Sequence, residues 1–474
     1  MKPKKHLSFT SLRKCLSGFF HKLVDGRKRE RIEYSLHDGL MSGFSCLYFQ
    51  DASILQFQKR LELKHHTSNL KTMFAIQSIP EPTQLRDMID AVDGKQLGGF
   101  FKEAVGRLQR GKHLEQYQLF PGLYYCGLDG TQYFSSKSIS CAHCLRTKES
   151  KKGRKKKQQN ESECECEVEL SKGESNNEKE GITYSHKVVQ AAIMHPDVRQ
   201  VIPLMPEEVR NSDGQTKQDC EVNAAKRLLP KLRHTHPRLG IILGGDDLYS
   251  RQPMIETVKV QGMHYIFVAK PESHPYLTEW LAAYPQLPGY SETDKKGVQH
   301  RYEWMNDVPL HGGAQAMRVN FLRYAMVTTD SEGKEKIVYR NDWVTDLEVT
   351  RGNVKTLVRG GRCRWKIENE CFNTLKNQGY SIEHNYGHGE NNLCFNFYLL
   401  TLIAFTFHQI FELTDIAFQA CRKRFGSKRC LWENARITLR FFVFDCWEYF
   451  LEFLLNAEDY LPNDPRPPPV VSLA

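Results

Sequence analysis

No Gly-x-y repeat and no sustained heptad runs through these 474 residues, which excludes a collagen-like or coiled-coil rod. A phosphate loop is missing as well. Gly244-Gly245 leads into Asp246 instead of a Gly-Lys-Ser/Thr signature, so nothing points to ATP use. The Lys/Arg-rich start is followed by no clean apolar segment of the secretory kind. Long apolar runs are scarce. The richest, Leu393 to Leu413, carries Asn396, His408, Gln409 and Glu412, which are costly in hydrocarbon and mark a buried core helix. The 14 cysteines follow no small-domain disulfide framework and are expected as free thiols in a reducing cytoplasm.

Apolar residues make up 40% of the chain, enough for a large core, and the length suits two or three domains. The formal charge of +10 is unevenly spread: residues 1–31 carry a net +8, residues 146–157 a net +7, and the rest sums to −5. Such clusters can attract nucleic acid, and they are equally what a solvated tail and loop look like.

Residues 1–31 read as a basic N-terminal arm and 32–121 as a helical region, with apolar recurrence over Ile54 to Leu63 and Leu85 to Leu108. The pattern changes at Gly122. Leu123 to Leu128 reads as a strand ending at Asp129, followed by strands at His186 to Met194 and Gln200 to Leu204. Residues 146–181 are of low complexity, basic and then acidic, and are expected as a disordered insertion. A helix over 219–233 and a buried strand over Leu239 to Leu243 come next, then a helix-like stretch at 252–260 and a strand over Tyr265 to Ala269. Residues 271–350 are β-rich, 351–460 helical, and 461–474 a Pro-rich tail.

The chemistry concentrates in Arg364-Trp365-Lys366-Ile367-Glu368-Asn369-Glu370-Cys371-Phe372-Asn373-Thr374-Leu375-Lys376. On a regular helix Trp365, Cys371, Phe372 and Leu375 share one face, with Glu368 near its middle and Arg364 one turn before it. Glu370 falls on the polar side. A carboxylate in an apolar face needs a cation or a metal. Asp129 and Asp246, each at a strand end, join Glu368 as three acids on separate elements. Converging carboxylates of this kind suit hard Mg²⁺ or Mn²⁺ ions, and two such ions serve phosphoryl transfer. The plainer alternative is a Glu368–Arg364 salt bridge with two acids in ordinary turns.

Several stretches carry a resemblance. Leu128-Asp129-Gly130-Thr131-Gln132-Tyr133-Phe134-Ser135-Ser136, Gly245-Asp246-Asp247-Leu248-Tyr249-Ser250-Arg251-Gln252-Pro253 and the Arg364–Lys376 segment resemble the DDE transposases of the insertion sequence 4 family. Pro82 to Met88 and Gln109 to Glu115 add to it, so it spans residues 70 to 415 approximately. It implies an α/β fold: an RNase H-like catalytic core in two parts, 122–270 and 351–460, interrupted by a β-rich insertion domain at 271–350. The helical 32–121 would be a DNA-binding region. Asp129, Asp246 (preferred to Asp247) and Glu368 would hold two Mg²⁺ or Mn²⁺ ions, and Arg364 and Lys376 would contact DNA phosphates. The activity implied is cleavage at the ends of a mobile element followed by strand transfer on double-stranded DNA. Holding two ends together implies a homodimer in the DNA complex. The alternative is a decayed, non-catalytic DNA-binding descendant. Gly361 stands where the family has Tyr, and Leu375 where it has Lys, with Lys376 one residue on.

Cys141-x-x-Cys144 is half of a zinc site, with His143 between, Cys164 and Cys166 beyond, and His186 as a further candidate. Thiols near a loop are the simpler reading. His384, His388 and Glu390 fall in a Gly/Asn-rich loop better suited to positioning DNA or the active-site helix. The aromatic C-terminal helix, with Phe441, Phe442, Trp447, Tyr449 and Phe450, is expected to pack on the core or to mediate self-association.

Overall fold

The run Gly240-Ile241-Ile242-Leu243-Gly244-Gly245 has no polar side chain for either face, and it forms a strand buried along almost its whole length. It lies in a mixed α/β architecture built around one large sheet. The structure is a computed structural model that describes residues 5–27, 32–61, 69–148, 181–211, 218–330, 333–384 and 386–457. The Pro-rich tail, Cys164, Cys166 and the insertion from 149 to 180 lie outside the described residues.

The strands are β1 (Gln118–Phe120), β2 (Leu123–Ser136), β3 (Leu145–Lys148), β4 (Ile182–His195), β5 (Val198–Pro203), β6 (Glu207–Val209), β7 (Gly240–Gly245), β8 (His264–Val268), β9 (Gly289–Thr293), β10 (Gln299–Pro309), β11 (Arg318–Thr329) and β12 (Glu335–Thr345). They form one sheet in the order β3-β4-β2-β7-β8-β12-β11-β10-β9, with β1 on β2 and both β5 and β6 on β4. β2, β7 and β8 are parallel, and the other pairings are antiparallel. A helix at Glu221–Thr235 connects the β4–β6 region to β7 and buries Ala224, Ala225, Leu228, Leu229 and Leu232. The β-rich stretch after residue 271 extends this sheet: β12 pairs with β8 through Trp343↔Val268, Val344↔Phe267 and Thr345↔Ile266.

β2 does not end at Asp129. It runs on to Ser136 because β4 continues to pair with it antiparallel, as in Gly130↔Val189 and Ser136↔Tyr184, with a register shift between Gln132 and Phe134. The low-complexity stretch is also shorter than composition suggests: Leu145–Lys148 pairs with Ile182–Ser185 as β3.

Two compact units result, one of residues 114–376 with 382–398, the other of 1–113 with 377–381 and 399–474. The second unit is helical. The helix at Phe9–Phe20 buries Phe9, Leu12, Leu16 and Phe20, so residues 5–27 are not a solvated arm: apolar spacing outweighs the basic count. Phe9 stacks on Trp447 at 4.8 Å between ring centroids, and Phe100 on Phe407 at 5.3 Å. The helix Trp447–Leu455 buries Trp447, Phe450, Leu451 and Leu454, while Phe441, Phe442 and Tyr449 stay exposed. The Leu393–Thr414 helix has the length and apolarity of a membrane span, and 94% of that window is buried inside the protein.

Candidate active site

β2 and β7 run parallel, with register Leu123↔Gly240 through Gly127↔Gly244. Asp129 and Asp246 each lie two residues beyond the last pair. Side chains alternate along extended chain, so both carboxylates leave the same face on neighbouring strands about 4.8 Å apart. Asp246 keeps an extended backbone at the end of β7, and its Oδ1 accepts the Leu248 N–H at 2.9 Å. Asp247 turns elsewhere: its Oδ1 accepts the Lys270 N–H at 2.7 Å and lies 3.7 Å from His274 Nε2.

The third acid comes from the segment after the Val354–Cys363 helix. Here the chain forms a π-helix over Ile367–Phe372, followed by a short helix at Asn373–Asn377. A π-turn holds more residues than an α-helical one, so each residue rotates by less than 100°, and the regular wheel fails. Trp365 is 46% exposed, the Glu368 side chain is half exposed, and Lys366 is buried. Ile367, Cys371, Phe372 and Leu375 supply the apolar contact, and Glu370 pairs with Arg199 at 3.5 Å. The segment packs near Gly127 of β2: an added Cβ there would lie 2.2 Å from the Met194 Cε that fills the space and 3.8 Å from the Ile367 Cβ. Lys366 Nζ donates to the carbonyls of His195 and Val198 at 2.8 and 2.7 Å, anchoring the segment to the β4–β5 turn.

Arg364 joins the acids. Its Nη1 lies 2.5 Å from Glu368 Oε1 and 3.4 Å from Asp129 Oδ2. Burial pushes the Asp129 carboxyl up to about 7. Arg364 opposes that, Glu368 and Glu221 add to it, and the Gly130 N–H opposes it. Lys376 is held by Glu383 at 2.7 Å, and the preceding Leu375 is fully buried.

Glu221 escapes sequence reasoning. A Glu in the first turn of a helix is ordinary dipole compensation, and nothing in the sequence distinguishes it. Its carboxylate fills the space beside Gly130, where an added Cβ would sit 2.3 Å from Oε2, and it accepts the buried Tyr249 hydroxyl at 2.6 Å. Tyr249 is in turn within electrostatic reach of Asp129 and Asp246. Arg364 thus contacts Asp129 and Glu368, and Tyr249 lies among Glu221, Asp129 and Asp246.

Residues 211–406 match the family model described as the transposase DDE domain. No match was found among curated proteins. The DDE domain match takes in Asp246, Glu221, Arg364, Glu368 and Lys376 and covers less than half of the chain. Asp129 lies before it.

Proposed function

We propose that this protein is a DDE transposase that cleaves double-stranded DNA at the ends of its own element and joins them to target DNA. The observation that carries the reading is the placement of Asp129 and Asp246 in register on one face of parallel strands, with Arg364 bridging Asp129 and Glu368. The DDE domain match over 211–406 supports the same class. So does the order of elements: a meander of β2, β4 and β5, then a helix, then β7 and β8 parallel to β2, as an RNase H-like core requires.

Asp129, Asp246 and Glu368 suit a pair of Mg²⁺ or Mn²⁺ ions. All three offer hard oxygen donors, and the half-buried Asp129 carboxyl is crowded by Glu368 and Glu221 with a single guanidinium between. Bound there, such ions would supply charge stabilisation for phosphodiester exchange. The chain's own groups do the rest. Arg364 holds Asp129 and Glu368 in place until DNA arrives and then steadies a phosphate, for which its planar fork is suited. Lys376, released from Glu383, adds a second cation. Glu221 fixes Tyr249, which walls the site at the end of β7. Two ends held together call for two copies of the chain.

The test is cleavage of end-bearing duplex DNA with Mn²⁺. Wild-type protein is expected to nick it, and the near-isosteric Asp129→Asn and Glu368→Gln variants are expected to bind the same DNA without nicking. Cleavage that survives both substitutions refutes the assignment. Binding with no cleavage by any form identifies a non-catalytic descendant.

A further inference from the structure

Away from the acids, two thiols and two imidazoles meet. Cys141, Cys144, His186 and His388 bring one ligand atom each to within 4.8 Å of the others. Cys141 Sγ lies 3.8 Å from Cys144 Sγ and 3.6 Å from His186 Nε2. Cys144 Sγ lies 3.3 Å from His186 Nε2 and 3.4 Å from His388 Nε2, and the two Nε2 atoms are 3.2 Å apart. These spacings can be compared with a metal centre. Zinc bonds of about 2.3 Å to sulfur and about 2.05 Å to nitrogen, in a tetrahedron, require S···S, S···N and N···N edges of about 3.8, 3.5 and 3.3 Å. The observed edges follow that pattern, including its order of lengths.

The fold builds this centre from three separated segments. Leu145↔Ser185 is the first pair of β3 with β4, so continuing that antiparallel register sets Cys144 opposite His186. Cys141 reaches the same point through a tight turn, in which its N–H donates to Cys144 Sγ at 3.4 Å. His388 arrives on the loop before Leu393, between Gly387 (φ 141°) and Gly389 (φ 70°), both in left-handed backbone that disfavours side chains. Its Nδ1 faces the Gly389 carbonyl at 2.8 Å, which assigns the proton to Nδ1 and leaves Nε2 as a lone-pair donor, the usual outer support of a metal-bound imidazole. The ring packs on Phe134 of β2 at 4.5 Å. Cys144 and His186 are buried, and Cys141 and His388 are half-buried.

We infer that Cys141, Cys144, His186 and His388 bind one zinc ion in a closed Cys₂His₂ site. All four positions are filled by protein, so the ion is structural and not a Lewis acid for substrate. It fastens the loop that follows the Glu368 segment to the β2–β4–β3 end of the sheet.

The test is the metal content of the full chain, purified under reducing conditions on a tag without histidine, with zinc supplied during expression. About one zinc per chain is expected, retained on dialysis against magnesium, lost in Cys144→Ser and retained in the control Cys430→Ser. Where Cys144→Ser fails to fold, cobalt exchanged into wild-type protein gives the deciding readout: intense tetrahedral ligand-field bands with thiolate-to-cobalt charge transfer. Protein that holds no zinc and gives no such bands overturns the inference, as does a Cys141–Cys144 disulfide found by alkylation and mass spectrometry.

Discussion

Gly361 sits in the Val354–Cys363 helix, and its missing side chain is occupied by Trp343 of β12. A Cβ there would lie 2.6 Å from Trp343 Nε1, 2.7 Å from Cε2 and 3.0 Å from Cδ1. Ordinary contacts between such atoms are about 3.5–4.0 Å, so Gly361→Ala must displace the indole by nearly 1 Å. Trp343 is fully buried and has no slack. Overpacking of this kind costs about 1–3 kcal/mol, whereas Gly→Ala in a helix contributes about 1 kcal/mol of stability. The expected net effect is a loss of about 1 kcal/mol. The assay is urea unfolding of Gly361→Ala in the wild-type and Trp343→Leu backgrounds. With the indole gone the clash disappears, so the same substitution should become stabilising, a reversal of sign that a double-mutant cycle isolates. Equal effects in both backgrounds, or a stabilising Gly361→Ala in wild type, would refute the reasoning. Gly361→Tyr, with a far larger side chain against Trp343, should prevent this unit from folding.

Two further outcomes follow from buried groups. Lys366→Met strands the His195 and Val198 carbonyls that Nζ now satisfies, so thermal unfolding should show a loss of about 1–3 kcal/mol, with cleavage reduced because the Glu368 segment loses its anchor. His408 is fully buried against Tyr380, Tyr48 and Trp432, and burial, with Lys428 and Arg422 nearby, holds its pKa well below the ordinary value. The unfolded imidazole takes up a proton at higher pH than the folded one. Its contribution is therefore complete above about pH 6.5 and falls by up to about 1.4 kcal/mol per pH unit below it. Denaturation midpoints of His408→Gln should be flatter over that range than those of wild type, and a parallel dependence would count against this account.

Much of the core was legible because its signals are local. The Ile/Leu run of β7, the Val/Ala/Ile run of β4 and the amphipathic spacing of the 221–235 helix each announce their element, and the order meander, helix, strand follows. Signals that depend on a distant partner were misread. Gly130-Thr131-Gln132 resembles a turn until β4 is present to pair with it. The Glu368 segment looks like a regular helix because nothing in its composition marks a π-turn. Phe9, Leu12, Leu16 and Phe20 were already spaced as a helix face, but the surrounding lysines and arginines dominated the count. The Cys141–Cys144 pair was visible as half a site. Its last partner, His388, comes 244 residues after Cys144 and sits in a segment with the composition of a plain loop.

The helical unit is assembled from both ends of the chain, residues 1–113 and those after 399. During synthesis Phe9 and Phe100 therefore emerge long before Phe407 and Trp447, the rings they stack against. The amino-terminal helices must wait, with aromatic surface uncovered, until Phe407 and Trp447 have left the ribosome. A message truncated before residue 399 would yield a product whose sheet could form while its helical unit could not. Any such fragment would be a substrate for chaperones and proteases.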